Sequence, residues 1–240
     1  MVAQRESSDQ VEGYLYAVNS DGHMPVFMSI RKEKLQGWTR YETNGNFKNV
    51  TNCNRKVYCI VERTINSSTV TSLELLDNTY HLDMASQQTG SSTTTWSVSH
   101  LPNTQVHVKS GNYSLGQYTT NGSGQITLSE PVTSVEIGLN YTPTIETLPP
   151  EFQLQDGISV GQKRRIVRAV LDLHETLSVK AKGTNVLIRS VTDDFSLQPS
   201  ALTTRKEIYF LGWSDDGKVT ISSDEPLPLG LNGILLEVEV

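Results

Sequence analysis

The stretch Gly13-Tyr14-Leu15-Tyr16-Ala17-Val18-Asn19-Ser20-Asp21-Gly22 decides the fold class. Tyr14, Tyr16 and Val18 alternate with Leu15 and Ala17, the period of a pleated strand. Asn19-Ser20-Asp21-Gly22 then supplies a tight turn, because a glycine after Asp takes the positive φ that hairpin turns demand. The chain returns with Val26, Met28 and Ile30 on one face. Two short strands and a turn of this kind predict an antiparallel hairpin.

The pattern repeats outward from there. Gly37-Trp38-Thr39-Arg40-Tyr41 and Phe47–Cys53 flank the turn Thr43-Asn44-Gly45-Asn46, and Val57–Arg63 and Thr69–Leu75 flank Ile65-Asn66-Ser67-Ser68. Strands this short, joined by short turns, predict a meander resembling a propeller blade over residues 1–85. The segment Ser86-Gln87-Gln88-Thr89-Gly90-Ser91-Ser92 reads as a polar loop leading into the next strand. Thr94–Ser99, Gln105–Lys109, Tyr113–Thr119, Gln125–Ser129 and Ser134–Leu139 then predict a small barrel or sandwich over 86–142. Proline-rich residues 143–157 read as an extended connector, since proline removes ladder donors and restricts the residue before it.

In 158–240 the strand Arg165–His174 sets Val167, Ala169, Leu171 and Leu173 on one face and Arg168, Asp172 and His174 on the other. Asn185–Val191, Glu207–Trp213 and Lys218–Ser222 carry similar patterns. In the last strand Ile234, Leu236, Val238 and Val240 point inward and Glu237 and Glu239 outward, which places the expected native C-terminus at or near Val240. The whole chain is expected to be all-β. Composition agrees: 25 Ser, 25 Thr and 22 Val stand against six Ala in 240 residues, and alanine is the strongest helix former.

A net charge of −6 offers no basic footprint for wrapping nucleic acid. No apolar run reaches the roughly 18 residues of a membrane span, and Met1–Ser8 lacks a signal-peptide core. Two cysteines, Cys53 and Cys59, cannot build a disulfide framework or a four-ligand zinc site. The chain reads as soluble and made in a reducing compartment.

The search for chemistry assigns no catalytic, metal or cofactor-binding residue and expects no cofactor. The histidines (His23, His81, His100, His107, His174) show no helical ligand spacing. His81-Leu82-Asp83 sets two candidate ligands on one strand face, but a pair is not a site, and it reads as facing solvent. Asp193-Asp194, Asp215-Asp216 and Asp224-Glu225 read as turn residues rather than a glycosidase acid and base. The one basic cluster, Lys163-Arg164-Arg165 with Arg168, is either a partner or phosphate contact or a solvated loop and strand start. Tyr14, Tyr16, Trp38 and Tyr41 could form a glycan-stacking platform, but Trp and Tyr in small β domains are more often core or interface anchors; Trp38 and Tyr41 are the candidates for an interface or glycan contact.

The order of several stretches then points to a family. Gly13–Gly22 leads into Arg31-Lys32-Glu33-Lys34-Leu35-Gln36-Gly37-Trp38-Thr39-Arg40-Tyr41-Glu42-Thr43-Asn44-Gly45. Val57-Tyr58-Cys59-Ile60-Val61-Glu62-Arg63-Thr64-Ile65-Asn66 and Leu73-Glu74-Leu75-Leu76-Asp77 follow. Ser99-His100-Leu101, Val135-Glu136-Ile137-Gly138-Leu139-Asn140-Tyr141, Thr147-Leu148-Pro149-Pro150-Glu151 and Gln162-Lys163-Arg164-Arg165-Ile166 complete the set. The succession resembles the tail nozzle proteins of short-tailed bacteriophages (tail tubular protein B), and specifically a C-terminal portion of them. The resemblance implies a structural virion component rather than an enzyme. It implies a homohexameric ring, contact with a tail adaptor and tail fibres, and passage of DNA without sequence recognition. A host-receptor or glycan-binding module and a glycan depolymerase are the rival readings.

Overall fold

The computed structural model describes residues 1–4, 12–154, 157–158 and 161–239. It is all-β, and no helix occurs among the described residues. The strands are β1 (Val2–Gln4), β2 (Gly13–Tyr16), β3 (Met24–Ile30), β4 (Leu35–Tyr41), β5 (Asn46–Cys53), β6 (Lys56–Ile65) and β7 (Ser68–Leu75). Next come β8 (Asp83–Ser97), β9 (Gln105–Ser110), β10 (Tyr113–Thr119), β11 (Gln125–Leu139), β12 (Thr144–Glu146), β13 (Gln153–Leu154) and β14 (Gly157–Ile158). The last are β15 (Arg165–Thr176), β16 (Lys180–Ala181), β17 (Thr184–Asn185), β18 (Leu202–Tyr209), β19 (Thr220–Ser222) and β20 (Leu231–Glu239). Two compact units divide the chain: Met1–Val106 with Gln117–Tyr141, and His107–Gly116 with Thr142–Val240.

In the first unit, β1-β2-β3-β4 and β5-β6-β7 form meanders in chain order. The expected hairpin of β2 and β3 is present, with Tyr16 opposite Val26 and Leu15 opposite Phe27. Alternation sends Tyr16, Met24 and Val26 from one meander and Phe47, Val50, Val57, Cys59 and Val61 from the other into a shared core. Removing this apolar surface from water, at about 25 cal/mol per Å², is what holds the two sheets face to face.

The segment Ser86–Ser92 is not a loop. It lies inside β8, a 15-residue strand paired antiparallel to β11 through Ser86↔Ile137, Gln88↔Val135, Thr89↔Ser134 and Thr93↔Val132. Its residues are polar because β8 is the edge of its sheet and several of them face solvent. The stretches expected as separate strands, Gln125–Ser129 and Ser134–Leu139, merge into β11. Pro131 sits at a register shift between Thr127 and Val132, where a missing ladder donor is tolerated.

A second irregularity lies opposite Gly138, where the register shifts between Ile137 and Leu139 and Met84 takes a positive φ of 48°. A Cβ on Gly138 would stand 2.6 Å from the Asp83 carbonyl oxygen. Glycine is required here by close backbone approach.

In the second unit, β15 is the centre of the sheet β18-β15-β20, and β12-β19-β16-β17 forms another. Ile166, Leu171, Leu173, Val179, Ala181, Val219 and Ile221 build the core, with Ile234, Leu236 and Val238 packed against it. Val240 lies outside the described residues. Val167 was expected inward, but a register shift between Ile166 and Arg168 gives the inward place to Ile166, 2% exposed. Of the expected strand Asn185–Val191 only Asn185 is in a strand (β17), and the strand expected at Glu207–Trp213 instead ends at Tyr209. Lys218–Ser222 narrows to β19.

At the end of β15, Thr176 is fully buried. Its hydroxyl accepts from the Gly230 N–H at 3.0 Å and donates to the Gly230 carbonyl at 2.9 Å. A Cβ on Gly230 would meet the His174 carbonyl oxygen at 2.1 Å. The two residues form one joint between β15 and the entry to β20.

Candidate functional site

The inward series of β6 is Val57, Cys59, Val61, Arg63 and Ile65. Four of its members are apolar; the fifth is a guanidinium with 1% of its side chain exposed. A buried charge survives only when paired and hydrogen-bonded, and Arg63 is both. Its Nε and Nη2 donate to the two oxygens of Glu74 on β7, at 3.0 and 2.7 Å. This is the bidentate geometry in which Arg and carboxylate match best.

Nη1 donates to the Asn44 carbonyl at 3.0 Å and to the Thr43 hydroxyl, both in the β4–β5 turn. It also lies 3.6 Å from Asp83 at the start of β8. Thr43 passes the contact on, donating to Asp83, and Ser72 donates to Glu74 at 2.6 Å. One side chain thus joins the β4–β5 turn, β6, β7 and β8.

The electrostatics follow from burial. Asp83 is held above the usual carboxylate range, chiefly by desolvation; Thr43 and Arg63 oppose that shift and the Glu74 charge adds to it. Tyr141 is pushed up by burial and by the carboxylates of Asp83 and Glu136. Burial raises Tyr41 as well. Glu136 is 6% exposed and accepts the His81 backbone N–H at 2.6 Å. Cys59 is pushed up to about 12, first by burial and then by Glu74, which keeps it a thiol rather than a nucleophile.

The expectation that His81 and Asp83 face solvent is corrected for Asp83, which points into the Arg63 cluster. Both carboxylates on Arg63 are engaged by cation and hydroxyl donors, so the arrangement is an internal clamp. Among the described residues, no three His, Cys, Asp or Glu side chains converge as metal ligands.

The residues singled out in the sequence are dispersed. Lys163 is exposed. Arg164 is 2% exposed, pairs by backbone with Ser214 at 2.8 Å in both directions, and donates from Nη1 to the Pro150 carbonyl at 2.6 Å. Arg165 faces Glu239 at 3.6 Å, and Arg168 faces Glu207 at 3.4 Å and Glu237 at 3.0 Å. Carboxylates on the flanking strands therefore compensate the charge of both. The acidic doublets are local as expected: Asp193 and Asp194 accept from Ser190 and Ser196 within their own turn. Asp224, by contrast, pairs with Lys180 at 2.5 Å.

Trp38 and Tyr41 lie three residues apart on β4, so they stand on opposite faces of the sheet. Tyr41 shares the core side with Met24, its cross-strand partner. Trp38 is 64% exposed on the other side, with its ring 5.0 Å from that of Phe27.

No family model matches the chain, and no curated protein matches it. No helix among the described residues is long and apolar enough to cross a membrane. The clamp itself was missed at the sequence level. Its signal is one charged residue in an otherwise apolar period-2 series, which a search for ligand spacings passes over.

Proposed function

We propose that this chain is a structural component of a phage tail, part of the nozzle or tube through which the genome is ejected, with assembly rather than catalysis as its role. The reading rests on the ordered stretches that resemble tail nozzle proteins, and one structural observation supports it. Edge strands in both units carry exposed apolar side chains. On β7, Leu73 is 70% exposed; β18 ends in Tyr209, 68% exposed, and is followed by Leu211 at 91% and Trp213 at 54%. An unpaired strand edge is a template for pairing with another chain, and monomeric proteins blunt such edges. A ring subunit uses them for its neighbours.

In this reading the partners are further copies of the chain, forming a hexameric ring, together with the tail adaptor and tail fibres. DNA passes the ring without sequence recognition, aided by the net negative charge, which repels phosphates. The location is the virion tail. Electron microscopy of the protein mixed with the adaptor ring from the same particle tests the proposal. Six-fold density added to the adaptor is expected; a protein that stays monomeric and leaves the adaptor bare overturns it.

A further inference from the structure

The face of the first sheet turned away from the core has a row that runs in register across three strands. Leu15 on β2 stands opposite Phe27 on β3, and Phe27 opposite Trp38 on β4. Leu15 and Phe27 are half-buried and form a floor from which the indole rises, its plane tilted 45° to the Phe27 ring. Alternation places Gln36 and Arg40 on the same face, each about 7 Å along the strand from Trp38, and both are exposed. Arg40 is ion-paired with Glu42.

We propose that this face binds a neutral oligosaccharide, one pyranose ring stacking on Trp38 with its hydroxyls hydrogen-bonded to Gln36 and Arg40. Three observations on the face select that ligand. An exposed aromatic plane fixed by a second ring offers an apolar surface of the size of one sugar ring, and preorganisation lowers the cost of binding. The flanking groups are an amide, which both donates and accepts, and a guanidinium with several N–H donors. The charge of Arg40 is matched by Glu42, so the pair beside the indole adds no net charge of its own.

Trp38 is 64% exposed, so the indole plane is open to a ligand. The site stands whether or not the chain assembles in a tail, and it excludes Tyr41, which lies on the opposite face.

The test is isothermal titration of the intact protein with maltohexaose, cellohexaose, mannohexaose and chitohexaose, in parallel with Trp38→Ala, Tyr41→Ala and Trp213→Ala. Saturable binding of at least one oligosaccharide is expected. Trp38→Ala should weaken it tenfold or more while the circular dichroism spectrum and melting temperature stay unchanged. Tyr41→Ala and Trp213→Ala should bind as the parent does. Absence of binding across the four sugars, or binding that survives Trp38→Ala, overturns the proposal. So does concentration-dependent dimerisation that Trp38→Ala abolishes, since the face would then belong to a second copy of the chain.

Discussion

Replacing Arg63 by Met keeps most of the volume of the side chain and removes the guanidinium. Glu74 and Asp83 then lose their shared cation while staying where the sheets place them. Breaking a buried pair by removing one partner costs about 3–5 kcal/mol. Here the carboxylates retain some hydration, with 19% of the Glu74 side chain and 25% of the Asp83 side chain exposed. The expected loss is therefore about 3–4 kcal/mol, the lower part of that range.

Urea unfolding at pH 7 measures it, with Trp213→Phe as background so that fluorescence reports the first unit through Trp38 and Trp96. The stranded charges are the cause, so Glu74→Gln and Asp83→Asn added to Arg63→Met should recover more than half of the loss. In the single variant Asp83, already held above its unfolded value by burial, loses the Arg63 charge that opposes that shift and rises further. Its contribution is retained at acid pH and lost as pH rises, and the deficit should shrink on acidification. An Arg63→Met protein within about 0.5 kcal/mol of the parent, or a deficit that charge removal does not repair, refutes the clamp.

Asp83→Asn in the parent background should flatten the dependence of melting temperature on pH. Asp83 is raised in the folded state, so it favours folding below the unfolded carboxylate pKa and loses that contribution as pH climbs through the folded value; a steeper profile in the variant contradicts this. Gly138→Ala and Gly230→Ala each force a Cβ against backbone carbonyls and should cost about 1–3 kcal/mol in denaturant unfolding; a neutral result at either position would show that the strands can part there. One thiol per native chain should react with a maleimide, the exposed Cys53, while the buried Cys59 reacts only after unfolding; two fast equivalents would contradict the packing around β6.

The meanders were legible in the sequence because their turns and their alternation agree. Asp21-Gly22 closes a turn between two strands of period 2, and the structure keeps that register from Tyr14↔Met28 to Tyr16↔Val26. Ser86–Ser92 was illegible because an edge strand can be polar on both faces. Its identity is set by its pairing with β11, from Thr89↔Ser134 to Ser86↔Ile137, not by its own pattern. Val167 was misassigned since a bulge resets the inside–outside alternation, and nothing local in Ile166-Val167-Arg168 announces one. The short, irregular course after Asn185 has the same origin: apolar periodicity persists in a segment with no strand beside it to pair with.

The candidate site was legible only in part. Arg63 was passed over although it is the one charge in the inward series of β6, and its partners, Thr43, Glu74 and Asp83, stand at separations only the folded chain brings together. For Trp38 and Tyr41 the spacing of three already places them on opposite faces, a consequence of strand geometry available before any coordinates. The cluster at Lys163–Arg168 looked like one basic surface. The fold divides it into an exposed Lys163, a buried Arg164 held by Ser214 and Pro150, and two arginines ion-paired to β18 and β20.

The most direct measurement of the proposed role is immunogold electron microscopy of short-tailed particles purified from a lysate that contains this protein, using antibodies against residues 1–240. Gold confined to the distal end of the tail is the expected result. Particles that carry no label, or that carry it on the capsid alone, would contradict the assignment of this chain to the tail.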